Sequence, residues 1–553
     1  SLNPNIRETL QQASVVGRIF WTSVVERMRN PEKPGMGMEI PIDDRLRPLR
    51  AKEFIFEYGD LKTSQLPEFI FKSAILHDVT YESVLLRLRR AYHLQAAEGL
   101  IEIWGERVTQ YAGRVGEHYE HAGELLRAAE WYARAGRQAQ STYEPNAAIH
   151  YYEKALEFLG PSVNQDLTPL QLDVHSHLGE VLNWQARYTD AVDTYKEMLH
   201  IAQGHGDEIV QSRALQGLAT SLSYRGHHHA ALESAIQAES LAEGANARME
   251  LAKAIWTEGS IRYRLGEPRA ALSLGEQALK ITTELDNPNE MARSLNLLGA
   301  AHYVLGQYAQ AQNYWGSALR IFQELNNRQQ GMDLLSNLGV IADARGDYQT
   351  AFQRYHSALE IAREIGYRDG EIVFLTNRGS EQVALGNYGA GEADLRQAIQ
   401  LAGINGSWCL PITFNYHAEA LLGLGRYKKA LYSAKQALAL GEEDKTPEYI
   451  GLAWRTLGMI SEKLGIPIRL KDRETHKFIE YDMETCFAKS VKIFAEAEIE
   501  MERARTLREW SKSSFRGGNQ EQAEKMWQEA REIFERLGAD MEVQRMAVPP
   551  SED

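Results

Sequence analysis

Three basic side chains, Arg213, Lys253 and Arg293, stand forty residues apart in a row that starts at Asp173 and ends at Asp333. Three positions on, a second row reads Gln216, Trp256, Asn296 and Ser336. Ten positions on, a third reads Asn183, Ser223, Tyr263, Tyr303 and Asp343, with Tyr224 and Arg264 just beyond it. Spacings of three, seven and ten residues share one face of a helix. Cations beside aromatic rings and an amide hold an acidic or carboxylate-ended peptide through charge-assisted hydrogen bonds and stacking. The ligand-binding set expected from these rows is Arg213, Lys253, Trp256, Tyr263, Arg264, Arg293, Asn296 and Tyr303. The competing expectation is a solvated face whose bases pair with neighbouring acids. Repetition in register, with Trp256 and Tyr263 placed where burial against the next helix is not required, favours the ligand.

No catalytic set accompanies these rows. The sequence has no HExxH, no GxSxG and no EF-hand loop, and without a Gly-Lys dipeptide it has no P-loop. His227, His228 and His229 fall in a turn between helices, where a solvated turn is favoured over a metal site: neither Cys409 nor Cys486 has a partner at zinc-ligand spacing. His118 with His121, and His175 with His177, carry no stronger signal. No catalytic residue, metal or cofactor is therefore expected. Arg87, Arg89 and Arg90 suit a DNA-contact element, and equally a solvated face or a docking face for another module.

The elements that position the rows follow from a period of 40 residues. Gly226, Gly266, Gly306, Gly346, Gly386 and Gly425 recur at that spacing, the last step being 39. Seven positions before each glycine comes a small residue: Gly259, Gly299, Gly339 or Gly379, with Ala219 and Ala418 substituting. Five positions after it come Ala231, Ala271, Ala311, Ala351 and Ala430, and twelve after it Ala238, Ala278, Ala318, Ala358, Ala398 and Ala437. Apolar residues at three- and four-residue steps make each unit a helix, a glycine turn, a second helix and a short polar link. The small residues let the two helices approach, and Tyr195, Trp315 or Tyr355 fills the space beside them. Gly391 replaces the alanine of the 386 unit and reads as a weak spot. In all, nine units and a fused pair near 116–155 emerge, the pair sharing one helix. A stretch at 466–483 interrupts one unit as a docking loop or a tolerated turn insertion. It carries Ile468, Arg469, Lys471, Asp472, Arg473, Glu474, Lys477, Ile479 and Tyr481.

At 553 residues the chain exceeds a single core, and 44% apolar with 25% charged residues is ordinary for a folded protein. A net charge of −15 argues against nucleic acid as a bulk partner. Two cysteines build no disulfide framework and suit a reducing, cytoplasmic setting. No apolar run long enough for a membrane span is present. The opening Ser-Leu-Asn-Pro, without an initiator Met, reads as the start of a piece of something longer. Before residue 106 the period is absent. Residues 8–28 read as helix, Gly17 break and helix; residues 30–44 as a linker; EFIFEY (53–58) and EFIFK (68–72) as a β-hairpin; and the stretch after it as one or two helices. Helices followed by a hairpin suggest a winged helix.

The small-Gly-Ala-Ala spacing of 7, 5 and 7 resembles the tetratricopeptide repeat (TPR). That resemblance implies an all-α, right-handed TPR superhelix, an α-solenoid, and places the three rows on its concave groove. ASVVGRIFW (13–21) and EFIFKSAILHDVTYESVLLRLRRAYHLQAAEGL (68–100) resemble the segment after the nucleotide-binding domain of bacterial STAND signalling ATPases, many of them cyclase-linked. The expected division is a winged-helix-like domain over 1–105, fused first TPR helices over 106–160, the regular array over 161–465, the insertion over 466–483, C-terminal or capping helices over 484–545 and a tail over 546–553. The expected function is a sensor and scaffold arm, binding a protein or peptide and relaying occupancy to a nucleotide-binding module absent from this chain. The alternatives are a transcription regulator with a DNA-binding winged helix and inducer-binding repeats, and a structural oligomerisation scaffold.

Overall fold

The computed structural model describes residues 2–30, 40–58, 67–160, 167–403, 407–471 and 477–548. Most of the expected linker, the expected hairpin loop at 59–66, Asp472, Arg473 and Glu474 of the insertion, and the end of the tail lie outside the described residues. The chain divides into two compact units, Ser1–Val181 and Leu182–Asp553.

In the first unit, α1 (Pro4–Val16) is capped by Asn3, whose side chain accepts from the Asn5 N–H, and it stops at Gly17. The chain then forms β1 (Ile19–Trp21), α2 (Thr22–Arg27), α3 (Ile42–Ala51), β2 (Ile55–Tyr58) and β3 (Glu68–Phe71). The strands make one antiparallel sheet in the order β1-β3-β2, with Phe20 opposite Phe69 and Phe56 opposite Ile70. The expected hairpin is present. The Gly17 break is too, but a strand follows it directly, because Ile19, Phe20 and Trp21 find the open edge of β3. Part of the expected linker is the helix α3, which buries Leu46 and Leu49 and tolerates Pro48; two apolar contacts in ten residues leave little periodicity to read.

Two helices follow, α4 (Ala74–Glu82), capped by Ser73, and α5 (Leu86–Trp104), then a short 3-10 turn over Gly105–Tyr111. Trp21 packs on Tyr111 with ring centroids 5.2 Å apart, and the Arg114 guanidinium lies 4.9 Å over Trp21. The sheet and the first helices beyond residue 105 therefore share a core. Those helices are α6 (Ala112–Ala122), α7 (Leu125–Ser141) and α8 (Pro145–Leu159). A Cβ on Gly116 of α6 would lie 2.9 Å from the Tyr132 ring of α7, and one on Gly136 of α7 would lie 2.4 Å from Tyr152 of α8. The helix α7 thus gives an aromatic ring to one neighbour and a glycine to the next. Between α5 and α6, His93 and His118 face each other with their Nδ1 atoms 2.9 Å apart, and the Tyr81 hydroxyl meets His93 Nε2 at 3.0 Å.

A further helix, α9 (Thr168–Trp184), crosses the unit boundary. The second unit continues with α10 (Tyr188–His205) and helix pairs α11/α12 (Glu208–Tyr224, His228–Gly244), α13/α14 (Arg248–Arg264, Pro268–Glu284) and α15/α16 (Pro288–Val304, Tyr308–Glu324). Then come α17/α18 (Arg328–Ala344, Tyr348–Glu364), α19/α20 (Arg368–Ala384, Tyr388–Ala402) and α21/α22 (Leu410–Gly423, Tyr427–Asp444). The last are α23/α24 (Pro447–Leu464, Met483–Glu496), α25/α26 (Glu500–Arg516, Gln520–Leu537) and a short α27 (Asp540–Arg545). The glycines of the 40-residue series have φ between 71° and 95°, the left-handed turn that ends each first helix. The insertion is a β-hairpin, β4 (Ile468–Lys471) paired with β5 (Phe478–Tyr481), which sequence reading took only as a loop.

Close packing within pairs rests on the small residues. A Cβ on Gly299 would sit 2.5 Å from Cδ1 and Nε1 of Trp315. Gly299→Ala is therefore expected to destabilise the second unit by about 1–3 kcal/mol through overpacking, read as a lower midpoint in chemical denaturation; an unchanged midpoint would show that the helices have room to part. Gly391 is not a weak spot. A Cβ there would lie 2.9 Å from the Gly379 carbonyl, so the backbones of α19 and α20 run closer than a side chain allows.

The array also winds back onto itself. Gln185 donates to the Gly366 carbonyl at 2.6 Å, the Tyr188 hydroxyl donates to Asp369, and the Thr446 hydroxyl meets the Arg264 carbonyl, partners 181, 181 and 182 residues apart. One turn of the coil thus takes about four and a half units. The Gly306 turn faces Leu537, and the Gly346 carbonyl accepts from Arg545 at 2.8 Å.

Candidate functional site

Winding brings the inner faces of the first helices of successive pairs around one cavity of about 1140 Å³. Trp256, Tyr263, Arg264, Arg293, Asn296 and Tyr303 line it; Arg213 and Lys253 do not. The basic row is compensated throughout. Arg213 pairs with Glu250 at 2.8 Å, Lys253 with the same carboxylate at 3.8 Å, and Arg293 with Glu290 at 3.0 Å. Arg293 also lies 3.8 Å over the Trp256 ring, whose Nε1 donates to the Arg293 carbonyl at 2.9 Å. Asn296 accepts from Asn337 at 2.9 Å through its side chain and from Trp315 at 3.0 Å through its carbonyl. The row reads in the structure as bases paired with neighbouring acids, which leaves little for an acidic peptide to neutralise.

One end of the cavity is an ion-pair network. Arg505 on α25 reaches Asp343 at 3.1 Å and Glu502 at 2.8 Å. Arg455 spans Glu502 at 2.5 Å and Glu419 at 3.5 Å. Glu542, fully buried, takes Arg508 at 2.6 Å, Arg545 at 3.3 Å and the Tyr348 hydroxyl at 2.6 Å. Against the upward push of burial, Lys512 and Arg508 hold Glu509 down to about 2.

The other end is aromatic and acidic. Arg264 lies between Trp408, 3.9 Å from its ring, and Tyr224 at 5.3 Å, with its NH1 lacking a hydrogen-bond partner among the described residues. The Tyr188 and Tyr367 hydroxyls donate to Asp369, whose carboxyl burial nonetheless raises. Burial and then Asp369 push Asp333 up to about 8, and burial with Glu502 pushes Glu448 up to about 7. Glu381, held well above the usual carboxylate range by burial and by Asp343, is 3% exposed, and its Oε2 has no hydrogen-bond partner among the described residues. Asp333 and Asp343 stand in the same sequence rows as the cations. Glu381 had a signal of its own: it occupies the position where Ile261, Ala301 and Ile341 are buried in other units.

Away from the cavity, His228 is buried beside Ser223 rather than solvated, and burial pushes its imidazole down to about 3. Among the described residues no group of three or more His, Cys, Asp or Glu could hold a metal ion. Arg89 is spent on the Val84 and Glu82 carbonyls at 2.7 and 2.9 Å and on the Tyr81 ring, so of the three arginines Arg87 and Arg90 stay exposed. No helix among the described residues is long and apolar enough to cross a membrane.

Helix pairs of 40-residue period, with left-handed glycine turns and small residues under aromatic or leucine side chains, define an all-α, TPR-like repeat solenoid, preceded by a small sheet with a hairpin. Residues 250–324 and 290–364 match the tetratricopeptide repeat family. No curated protein sequence matches the chain. Among solved structures, a Rap protein complexed with competence and sporulation factor is 13% identical with a TM-score of 0.39, over 74% of this chain and 98% of that one. The Rap conjugation gene regulator of plasmid pLS20, in complex with the Phr* peptide, is 12% identical with a TM-score of 0.43, over 68% and 99%. A STAND protein with a tetratricopeptide repeat sensor from Pyrococcus horikoshii is 16% identical with a TM-score of 0.32, over 72% of this chain and 62% of that one.

Proposed function

We propose that Leu182–Asp553 is the sensor and scaffold arm of a signalling protein, acting in the cytoplasm and binding a protein segment or peptide in its inner cavity. Residues 1–105 act in this reading as a winged-helix relay to a nucleotide-binding module. The observation that carries the proposal is the cavity itself. At about 1140 Å³ it exceeds the roughly 300–1,000 Å³ usual for a drug-sized ligand, and it mixes aromatic walls with convergent polar groups. That suits an extended peptide of several residues. The helix–strand–helix–helix–strand–strand order of α1 to β3 supports the winged helix. The exposed Ile75, Val79, Leu85 and Leu86 beside Arg87 support a docking face on it.

The test is retention of a random hexapeptide library by the full chain, compared with Asn337→Trp, which fills the cavity from its wall. Wild type is expected to enrich a subset of peptides that the variant does not hold. Equal retention by both would place binding elsewhere and overturn the proposal.

A further inference from the structure

We propose that the cavity selects a cationic ligand, a peptide segment bearing two or more ammonium or guanidinium groups, which sit against the separate carboxylates of Asp333, Glu381 and Glu448. The inference rests on the reading of the cavity as a peptide site and specifies its chemistry. Sorting the lining charges carries it. Arg293, Arg455, Arg505, Arg508, Arg545 and Lys512 each have a carboxylate partner within 4 Å. Among the described residues, the lining cations left over are Arg264, held between two rings, and Lys463, which is exposed. The acids left over, with no ion pair among the described residues, are Asp333, Glu381, Glu448 and Asp369, the last already held by the Tyr188 and Tyr367 hydroxyls, and they come from three different helices, α17, α19 and α23. The unpaired titratable groups are therefore mainly acidic and distributed along the cavity.

Glu381 is the independent observation. A carboxylate that stands in an apolar core row, 3% exposed, with an oxygen that no donor reaches, costs folding free energy unless something fills its place. Asp333 and Glu448 are half-buried, and burial raises their carboxyls, which disfavours their charged forms. A ligand cation removes that cost and gains the faces of Tyr355 and Tyr416, which line the same cavity. An acidic peptide would add like charge to it.

The experiment uses the full chain and four probes in calorimetry: the capped hexapeptides AAKAAK, AAEAAE and AAQAAQ, and spermidine. AAKAAK is expected to bind at least tenfold tighter than AAQAAQ, with AAEAAE weakest. Glu381→Gln and Asp333→Asn are each expected to weaken AAKAAK about fivefold or more while leaving the thermal midpoint unchanged or higher. Tightest binding of AAEAAE or AAQAAQ overturns the charge preference and leaves the peptide site standing. Spermidine bound in place of AAKAAK upholds the cation preference and removes the peptide reading. Failure of all four probes overturns both.

Discussion

Replacing Arg505 with methionine is expected to cost the second unit about 3–5 kcal/mol, the penalty for leaving buried partners of a removed charge uncompensated. Arg505 reaches Asp343 on α17 and Glu502 on its own helix, and it stands 3.6 Å from Glu542, which is fully buried. It is the ion-pair partner of Asp343 across a separation of 162 residues. Its loss strips the contact that holds α25 against the previous turn. Methionine keeps the apolar stem, so packing alone does not account for the effect. Chemical denaturation of the full chain measures the loss, and amide exchange shows whether α17 and α25 open together. The partner substitution Asp343→Leu made with it should recover part of the loss, because both ends of the pair are then gone. A change below about 1 kcal/mol would mean that the network is solvated rather than sealed.

Acid should open the first unit through His93 and His118. Burial, with the neighbouring His121, Arg89 and Arg114 adding, pushes His93 down to about 2 and His118 down to about 3. The contact explains why both stay neutral. One of the two facing Nδ1 atoms must be bare to accept the N–H of the other, and charging both rings sets two N–H groups face to face. The unfolded chain takes up these protons near pH 6.5 and the folded chain does not, so stability falls as pH drops below that value. Two such groups remove about 3 kcal/mol between pH 6.5 and 5. His175, lowered to about 4 by burial, acts in the same direction. His177, raised to about 9 by Asp173 and Glu180, acts in the opposite direction but has most of its contribution in place by pH 6.5, so it offsets only about 0.4 kcal/mol of the loss below that value. Amide exchange across α5 and α6 should accelerate steeply over that range, and His118→Gln should flatten the slope. Protection that does not change between pH 6.5 and 5 would rule the mechanism out.

What was legible in the sequence is what repeats. Glycine turns, alanine rows and helix pairs recur because each unit meets the same neighbours at the same offsets, and a period of 40 residues records that. Of the eight expected ligand residues, Trp256, Tyr263, Arg264, Arg293, Asn296 and Tyr303 do line the cavity, since helical geometry alone puts them on the inner face. The ionic state of that face was not legible. Glu250 and Glu290, which neutralise the basic row, lie in the helices' first turns, outside the rows that were compared. Arg505 and Glu542, which close the coil, act between turns, and no local periodicity reports a contact 162 or 194 residues away. The strand β1 and the hairpin of β4 and β5 are short and occur once, so nothing in register marks them.

Because one turn takes about four and a half units, each turn-to-turn contact pairs a particular unit with a particular later one. An open solenoid tolerates gain or loss of a unit, since every unit touches only its neighbours. Here, deleting one unit between Asp343 and Arg505 would carry the second turn out of phase with the first and set the two at different angles about the coil. Such an array is counted: its length can change only by steps that restore the phase, and descendants of this gene should keep its number of repeats even where the residues within them drift.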